Sequence, residues 1–280
     1  MSIRLIAVDL DGTFLKKDHV TVSQRNIRAI KLAVEKGIIP VIASGRTLSI
    51  MRGVLRQVPM IQYAVISNGA SALKIGTDQP MFVDGIPYEK WMEICNIMDR
   101  NHSIYEIFYN TKSYMEKTMW SQYKNPYLQR EFLEELKSGI TACDNLKEEL
   151  RACTIEKISS IYTPEEFCDS LEKEILKYQD MEITTSVPGN MELNMGGVSK
   201  GTGLKQLCDR LNIRADEVMA FGDADNDCTM LQWAGYSFAM GNASEEVKKC
   251  AKYITDTNEK DGVAKAIETY VLRKEYWGCV

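Results

Sequence analysis

Two carboxylates flank a single residue near the start of the chain, in Asp9-Leu10-Asp11-Gly12-Thr13. Carboxylates set this close repel one another unless a cation or a shared proton settles the charge. A hard divalent ion such as Mg2+ suits them, because it takes a few oxygens and keeps several waters. An aspartate clamped in this way can also act as a nucleophile and form an acyl phosphate. The plainer alternative is a polar turn after a strand, since Asp and Gly are common turn formers. Three more stretches bear on the choice: Ser44-Gly45-Arg46-Thr47, Ser199-Lys200-Gly201 and Gly222-Asp223-Ala224-Asp225-Asn226-Asp227. Together they add a hydroxyl donor, a cation and a second acidic cluster. Phosphoryl transfer needs this set, because its catalysis is mostly positioning and charge neutralisation.

These residues need a scaffold that brings them together. Ile3 to Val8 is apolar except for Arg4 and stops at the Asp-x-Asp-Gly loop, which reads as a buried parallel strand with Asp9 at its carboxyl end. Open α/β sheets hold ligands in the crevice outside that edge. Ser23 is a good N-cap for a helix with Ile27, Ile30 and Val34 on one face, ended by Gly37. Ile38 to Ala43 is a second strand, running into Ser44-Gly45-Arg46-Thr47 and then a helix containing Ile50, Val54 and Leu55. Backbone N–H groups at a helix start, with Ser44 beside them, make an anion site; an ordinary N-cap is the bland reading. Tyr63 to Ile66 is a third strand, closed by Ser67-Asn68-Gly69-Ala70. A hairpin follows, with Gly76-Thr77-Asp78 between Ala72–Ile75 and Met81–Val83. This alternation argues for an α/β fold with a doubly wound parallel sheet.

The rhythm changes from about Asp84 to Asn190, where most of the tyrosines fall. Trp91, Ile94, Cys95 and Met98 share a helical face, and Ser103–Tyr109 and Ser113–Glu116 read as strands about an Asn110-Thr111-Lys112 turn. A charged helix is expected over Gln129–Lys137, a strand over Ile155–Tyr162 and another over Met181–Val187, with Pro188-Gly189-Asn190 turning out. Thr163-Pro164-Glu165-Glu166 has the pattern of a helix start, with Thr as N-cap, Pro at N1 and Glu at N3. The stretch reads as an inserted α+β module with an antiparallel sheet, its aromatics serving chiefly as core. Lys200 then opens a helix bearing Leu204, Leu207 and Leu211, although the helix dipole favours anions there. Val218–Phe221 is a further strand ending in the second acidic cluster, with Asp227 starting a helix. Ser237–Met240, a helix capped by Ser244 and a last helix from Asp261-Gly262-Val263 complete the chain. The expected division is 1–84 and 191–280 for the core and 85–190 for the insertion.

Bulk properties narrow the function classes. The net charge of −5 gives no general field favouring nucleic acid or an anionic membrane. No apolar run approaches the ~20 residues needed to cross a bilayer, and Asp9 and Asp11 interrupt any secretory h-region. The 8 cysteines form no C-x-x-C pair, so buried reduced thiols in a cytoplasmic protein are expected. With only His19 and His102, a His-rich zinc site and a Ser-His-Asp triad are both disfavoured.

In order and context the motifs resemble those of haloacid-dehalogenase-superfamily phosphatases of the Cof-type branch, which insert an α/β cap between the second and third motifs. Asp9-Leu10-Asp11-Gly12-Thr13, Ser44-Gly45-Arg46, Lys200 and Gly222–Asp227 match the four motifs. Asn68-Gly69-Ala70, Gly241-Asn242-Ala243 and Asp261-Gly262-Val263-Ala264 also fit the branch. The resemblance implies a Rossmann-like core and Mg2+-dependent hydrolysis of a small-molecule phosphate ester. Asp9 would be the nucleophile and Asp11 the general acid and base. Ser44, Lys200, Asn226 and the N–H groups of Leu10 and Gly45 would hold phosphoryl oxygens. The carboxylates of Asp9 and Asp223 and the carbonyl of Asp11 would hold the metal, with Asp227 supporting that shell or orienting Lys200. Asp11 argues against dehalogenase activity, since the true dehalogenases lack it. The same scaffold also serves phosphomutases, and a phosphate-sensing module with little turnover or a receiver-like domain phosphorylated on Asp are further alternatives. Arg46, Glu192 and the tyrosines of the insertion are candidates for contact with the leaving group. Cap opening for product release is expected, with hinges near 84–86 and 189–194.

Overall fold

The computed structural model describes residues 2–77, 79–122, 130–184 and 190–272. Five strands come first: β1 (Leu5–Val8), β2 (Ile39–Ala43), β3 (Tyr63–Ile66), β4 (Ser71–Lys74) and β5 (Phe82–Val83). Six follow: β6 (Ile104–Tyr109), β7 (Lys112–Glu116), β8 (Ile140–Cys143), β9 (Lys157–Tyr162), β10 (Met181–Thr184) and β11 (Met191–Met195). The last three are β12 (Val218–Gly222), β13 (Tyr236–Ala239) and β14 (Tyr253–Ile254).

They form two sheets, ordered β14-β13-β12-β1-β2-β3-β4-β5 and β10-β11-β9-β6-β7-β8. The first is parallel from β14 to β3, with β4 and β5 added antiparallel at one edge. β1 lies inside it and is buried on both faces, which is why its sequence is apolar rather than alternating. Ile6 and Val8 pack in the core that takes in the helix Gln24–Glu35 and the helix Gly262–Ile267. Leu5 and Ala7 pack on the other side with Leu204 and Leu207 of the helix Lys200–Leu211. The carboxyl ends of β1, β2 and β12 therefore open on one edge, with Asp9, Ser44 and Asp223 just beyond them.

The second sheet carries alternation of a different kind. Tyr105 and Ile107 of β6, Ile158 of β9 and Leu193 of β11 join Trp91, Ile94 and Met98 in a separate core. The intervening residues, Glu106 and Phe108, Lys157, Ser159 and Ile161, and Glu192, face a cavity above the first sheet. The sheet has a buried apolar face and a buried, largely polar one.

Several expectations change. The helix after Ser44 is Arg52–Gln57, so Ile50 precedes it and its N-terminus lies away from Ser44. The second sheet is mixed, because β7 and β8 pair in parallel, and β8 was not foreseen in the sequence. Thr163 does not cap: the helix Glu165–Ile175 has Pro164 at its N-cap with no side-chain bond. The Thr163 hydroxyl is used instead by Ser103 and Ser160, at 2.8 and 3.2 Å. The strand opening at Met191 pairs with β9 and β10 in the second sheet, so we place the return to the first sheet after Met195 rather than at 190. Cys228 and Cys250 are joined as a disulfide and Cys168 is exposed, which corrects the expectation of uniformly buried, reduced thiols. Asp78, Gln129, Val187, Pro188, Gly189 and Cys279 lie outside the described residues. Among the described residues no helix is long and apolar enough to cross a membrane.

Candidate active site

The first carboxylate pair sits on a tight loop, Leu10–Phe14, closed by the Leu15 N–H donating to Leu10 O at 2.9 Å. Gly12 makes the turn with φ +77°, and a Cβ there would lie 2.1 Å from Asp223 Oδ2. Only a glycine permits both the backbone conformation and the approach of the second acidic loop. Thr13 Oγ1 donates to Asp223 Oδ1 at 2.9 Å, and Asn242 Nδ2 donates to Asp223 Oδ2 at 3.1 Å and to Gly12 O at 2.9 Å. The Asp223 carboxylate is thus held from two other segments of chain.

Lys200 resolves its conflict with the helix dipole through side chains rather than a ligand. Its Nζ donates to Asp9 Oδ1 and to Asp227 Oδ1, both at 2.7 Å, and all three groups are buried. Burial opposes the Lys200 charge, but Asp227 and Asp9 outweigh it and hold its pKa above the usual lysine value. Burial and the neighbouring Asp227 push Asp9 upward, against the pull of Lys200. The same two causes push Asp223 up to about 7. Asp227 has both oxygens engaged, since Oδ2 accepts from the N–H groups of Asp223 and Ala224 at 2.9 and 3.1 Å. It positions Lys200 and the Asp223 loop.

Carboxylates crowded in this way favour a nearby positive charge. One oxygen each from Asp9, Asp223 and Asp227 lies within 4.8 Å of the others. Asn226 Oδ1 is a further buried acceptor without a partner, its Nδ2 being donated to Asn68 Oδ1 at 3.3 Å. This set of hard oxygens fits a small divalent cation.

Asp11 faces another way. Arg46 donates to it from Nε at 2.8 Å and Nη2 at 2.5 Å, and His19 Nδ1 lies 2.7 Å from Oδ1. Burial alone would raise the Asp11 carboxyl; the Arg46 guanidinium and the bonds from His19 and Arg46 outweigh it and hold it far below the usual range. His19 is correspondingly raised by its bond to Asp11. Above them lies the helix Arg130–Gly139 of the insertion. Its Phe132 ring is 4.4 Å from the Arg46 guanidinium, and Glu135 accepts from Gly53 N–H at 3.0 Å. Ser44 Oγ is buried and accepts from Arg46 N–H at 3.2 Å, leaving its own proton free to donate.

Asp9, Asp11, Ser44, Gly45, Lys200, Asp223 and Asn226 line one cavity of about 490 Å3. Leu10 and Asp227 are buried and are not among its lining residues, Asp227 gripping Lys200 from behind. The sequence did not point to His19, Glu106, Phe132 and Lys157, and it marked Asn68 only by its fit to the branch. Asn68 sits in a run of positive φ (Ser67 53°, Asn68 59°, Gly69 100°) that aims its Nδ2 at Glu192 Oε2, 2.6 Å away. Lys157 Nζ reaches across to Gly45 O at 2.7 Å. The signal for the roof residues was present only in part, as Glu106, Lys157, Ser159 and Glu192 at cavity-facing positions shared with the apolar Phe108 and Ile161.

The family profile described as haloacid dehalogenase-like hydrolase matches residues 6–267. A Bacillus subtilis 5-amino-6-(5-phospho-D-ribitylamino)uracil phosphatase is 32% identical over 275 residues, covering 97% of each chain. A second Bacillus subtilis phosphatase is 28% identical, over 94% of this chain and 98% of that one. The crystal structure of a haloacid dehalogenase-like hydrolase from Bacteroides thetaiotaomicron superposes with a TM-score of 0.81 at 28% identity, covering 95% of this chain and 98% of that one.

Proposed function

The chain belongs to the haloacid dehalogenase-like hydrolases and is a phosphoric monoester hydrolase, and we propose that it cleaves small phosphorylated metabolites through an aspartyl phosphate on Asp9. The observation that carries this reading is the convergence of Asp9, Asp11, Ser44, Lys200 and Asp223 from four separate segments on one cavity.

In the first step an Asp9 oxygen attacks phosphorus, and the bond to the leaving oxygen breaks as Asp11 delivers a proton to it. Lys200 holds Asp9 in place and offers positive charge to the phosphoryl oxygens. Ser44 Oγ and the N–H groups of Leu10 and Gly45 are donors for the same oxygens. Asn226 keeps a hydrogen on Nδ2 beyond the one given to Asn68. In the second step water attacks the acyl phosphate and Asp11 takes its proton. The Arg46 and His19 contacts favour the carboxylate form of Asp11, which is the form that step requires. For the first step Asp11 must carry a proton, and its partial exposure (38% of the side chain) leaves it room to exchange one. A cation such as Mg2+, held by the carboxylates of Asp9 and Asp223 and the carbonyl of Asp11, would supply further neutralisation of phosphoryl charge.

The Bacillus subtilis relative is named for a phosphoribitylamino-substituted uracil, and that compound is the first to assay here. Phosphate release should depend on Mg2+, stop with EDTA and vanish in Asp9→Asn. Release that survives both treatments would contradict the mechanism.

A further inference from the structure

Three residues stand side by side across the cavity roof: Ser159 of β9 pairs with Glu106 of β6 on one side and with Glu192 of β11 on the other. Strand spacing sets these neighbours about 4.8 Å apart. Glu106 is 6% exposed and Ser159 4%, and both line the cavity. Glu106 Oε2 accepts from Ser113 Oγ. Its Oε1, and the Ser159 hydroxyl, take no hydrogen bond among the described residues, and both residues line the cavity. Glu192 is already engaged by Asn68 and Lys157, so the open acceptors of the row are Glu106 Oε1 and the Ser159 hydroxyl. Apolar walls flank it, with Phe108 and Ile161 on the roof and Ile50 and Phe132 at the sides.

Charge limits what can lie there. The Lys and Arg side chains lining the cavity among the described residues are Arg46, Lys157 and Lys200. Lys157 faces Glu192 at 3.1 Å, Arg46 faces Asp11 and Glu135, and Lys200 faces Asp9 and Asp227. Lys200 belongs to the phosphoryl end. Among the described residues each of these cations already faces a carboxylate, Arg46 keeping one buried N–H (Nη1) without a hydrogen bond, and Glu106 in its carboxylate form would repel a second anionic group.

Resting on the phosphatase reading, we infer that Glu106 and Ser159 select the leaving group, admitting a neutral one rich in hydrogen-bond donors, a polyol or a ring bearing N–H groups, and rejecting one that carries a second anion. Glu106 accepts donors at Oε1, Ser159 either accepts or donates, and the apolar walls cover the carbon face. Losing a hydrogen bond to a charged group corresponds to about a 10- to 100-fold change.

The test compares two linear six-carbon esters, sorbitol 6-phosphate and 6-phosphogluconate, which differ in a terminal hydroxymethyl against a carboxylate. The wild type should favour the polyol in kcat/KM by about tenfold or more. Glu106→Gln should shrink that ratio, Glu106→Lys should invert it, and Ser159→Ala should lower the polyol rate. A ratio is insensitive to the fraction of protein that folds, since both substrates use the same molecules. In parallel, calorimetry on Asp9→Asn, alone and combined with Glu106→Lys, reads the same preference as binding. A preference for the carboxylate, or a ratio unmoved by both Glu106 variants in turnover and binding, overturns the inference. If wild type in Mg2+ releases phosphate from no ester, the phosphoribitylamino-substituted uracil included, while the Asp9→Asn protein binds the two esters in the stated order, the Asp9 mechanism fails and the subsite stands.

Discussion

Replacing Lys200 by methionine removes one cation from between two buried carboxylates and changes little else in volume. In the native protein its Nζ is 2.7 Å from both Asp9 and Asp227, and the three side chains are 5% exposed or less. Breaking a buried pair by deleting one partner typically costs about 3–5 kcal/mol, because the remaining charge is left uncompensated. For a protein of this size that corresponds to a fall in melting temperature of about 10 °C or more. Lys200 is raised above its usual 10.5, so its contribution is intact at every pH below that value and is lost only as pH rises through the higher folded value. The variant behaves differently. Asp9, already raised above 3.8, loses the Lys200 charge that pulls it down, so stability present at low pH is lost as pH rises. The deficit should be large at pH 7–8 and smaller at pH 5. Mg2+ should stabilise the variant more than the wild type by replacing part of the missing charge, and Asp227→Asn in the same chain should restore part of the loss. Urea unfolding at pH 5 and pH 7.5, with and without Mg2+, measures all of this. A loss under about 1 kcal/mol at pH 7.5 would refute the buried-pair reasoning.

Four more outcomes follow from particular contacts. Gly12→Ala drives a Cβ to 2.1 Å from Asp223 Oδ2 in a left-handed backbone, so kcat/KM should fall about 100-fold or more with weakened Mg2+ dependence, a loss of about 3 kcal/mol in transition-state stabilisation. Burial raises Glu106 from 4.5 to about 7, with Lys157 and Glu192 as the charged groups acting on it and Ser113 as its hydrogen-bond donor. Its stabilising protonated form is fully present below about pH 4.5 and lost as pH rises through 7, so Glu106→Gln should gain up to about 3 kcal/mol on the wild type between pH 4.5 and 8, read from denaturation at the two pH values. Asn194 Nδ2 donates to Ser67 O and to Glu156 O, both at 3.0 Å, bridging the two sheets. Asn194→Ala should cost about 2–3 kcal/mol, measured by urea unfolding. Gly53 N–H and Glu135 tie the insertion to the first sheet's side of the cavity; cysteines at both positions joined by a short crosslinker should slow turnover if the cap must open, and unchanged turnover would count against opening.

The acidic loops were legible because the rule that exposes them is local: an apolar run that ends in Asp-x-Asp-Gly or Gly-Asp reads as a buried strand delivering carboxylates to its end. The order of β1, β2 and β12 in one sheet then brings Asp9, Ser44 and Asp223 together. The Thr163 cap was misread for the opposite reason, since a local pattern lost to a tertiary one when Ser103 and Ser160 claimed the hydroxyl. His19 was invisible because its role depends on a positive-φ turn that carries it back over Asp11. Nothing local marks Glu106 and Lys157 as interior, and only the stacking of one sheet over another buries them with Glu192, which was already a candidate for contact with the leaving group. Cys228 and Cys250 are 22 residues apart, and no local spacing links them.

The central claim is covalent chemistry on Asp9. The most direct test is an acid quench during turnover of a 32P-labelled monoester in Mg2+, followed by peptide mapping. Acid-stable label is expected on the peptide bearing Asp9, lost on hydroxylamine treatment and absent from Asp9→Asn. Steady phosphate release with no labelled peptide at any quench time, or release by Asp9→Asn at the wild-type rate, would contradict it.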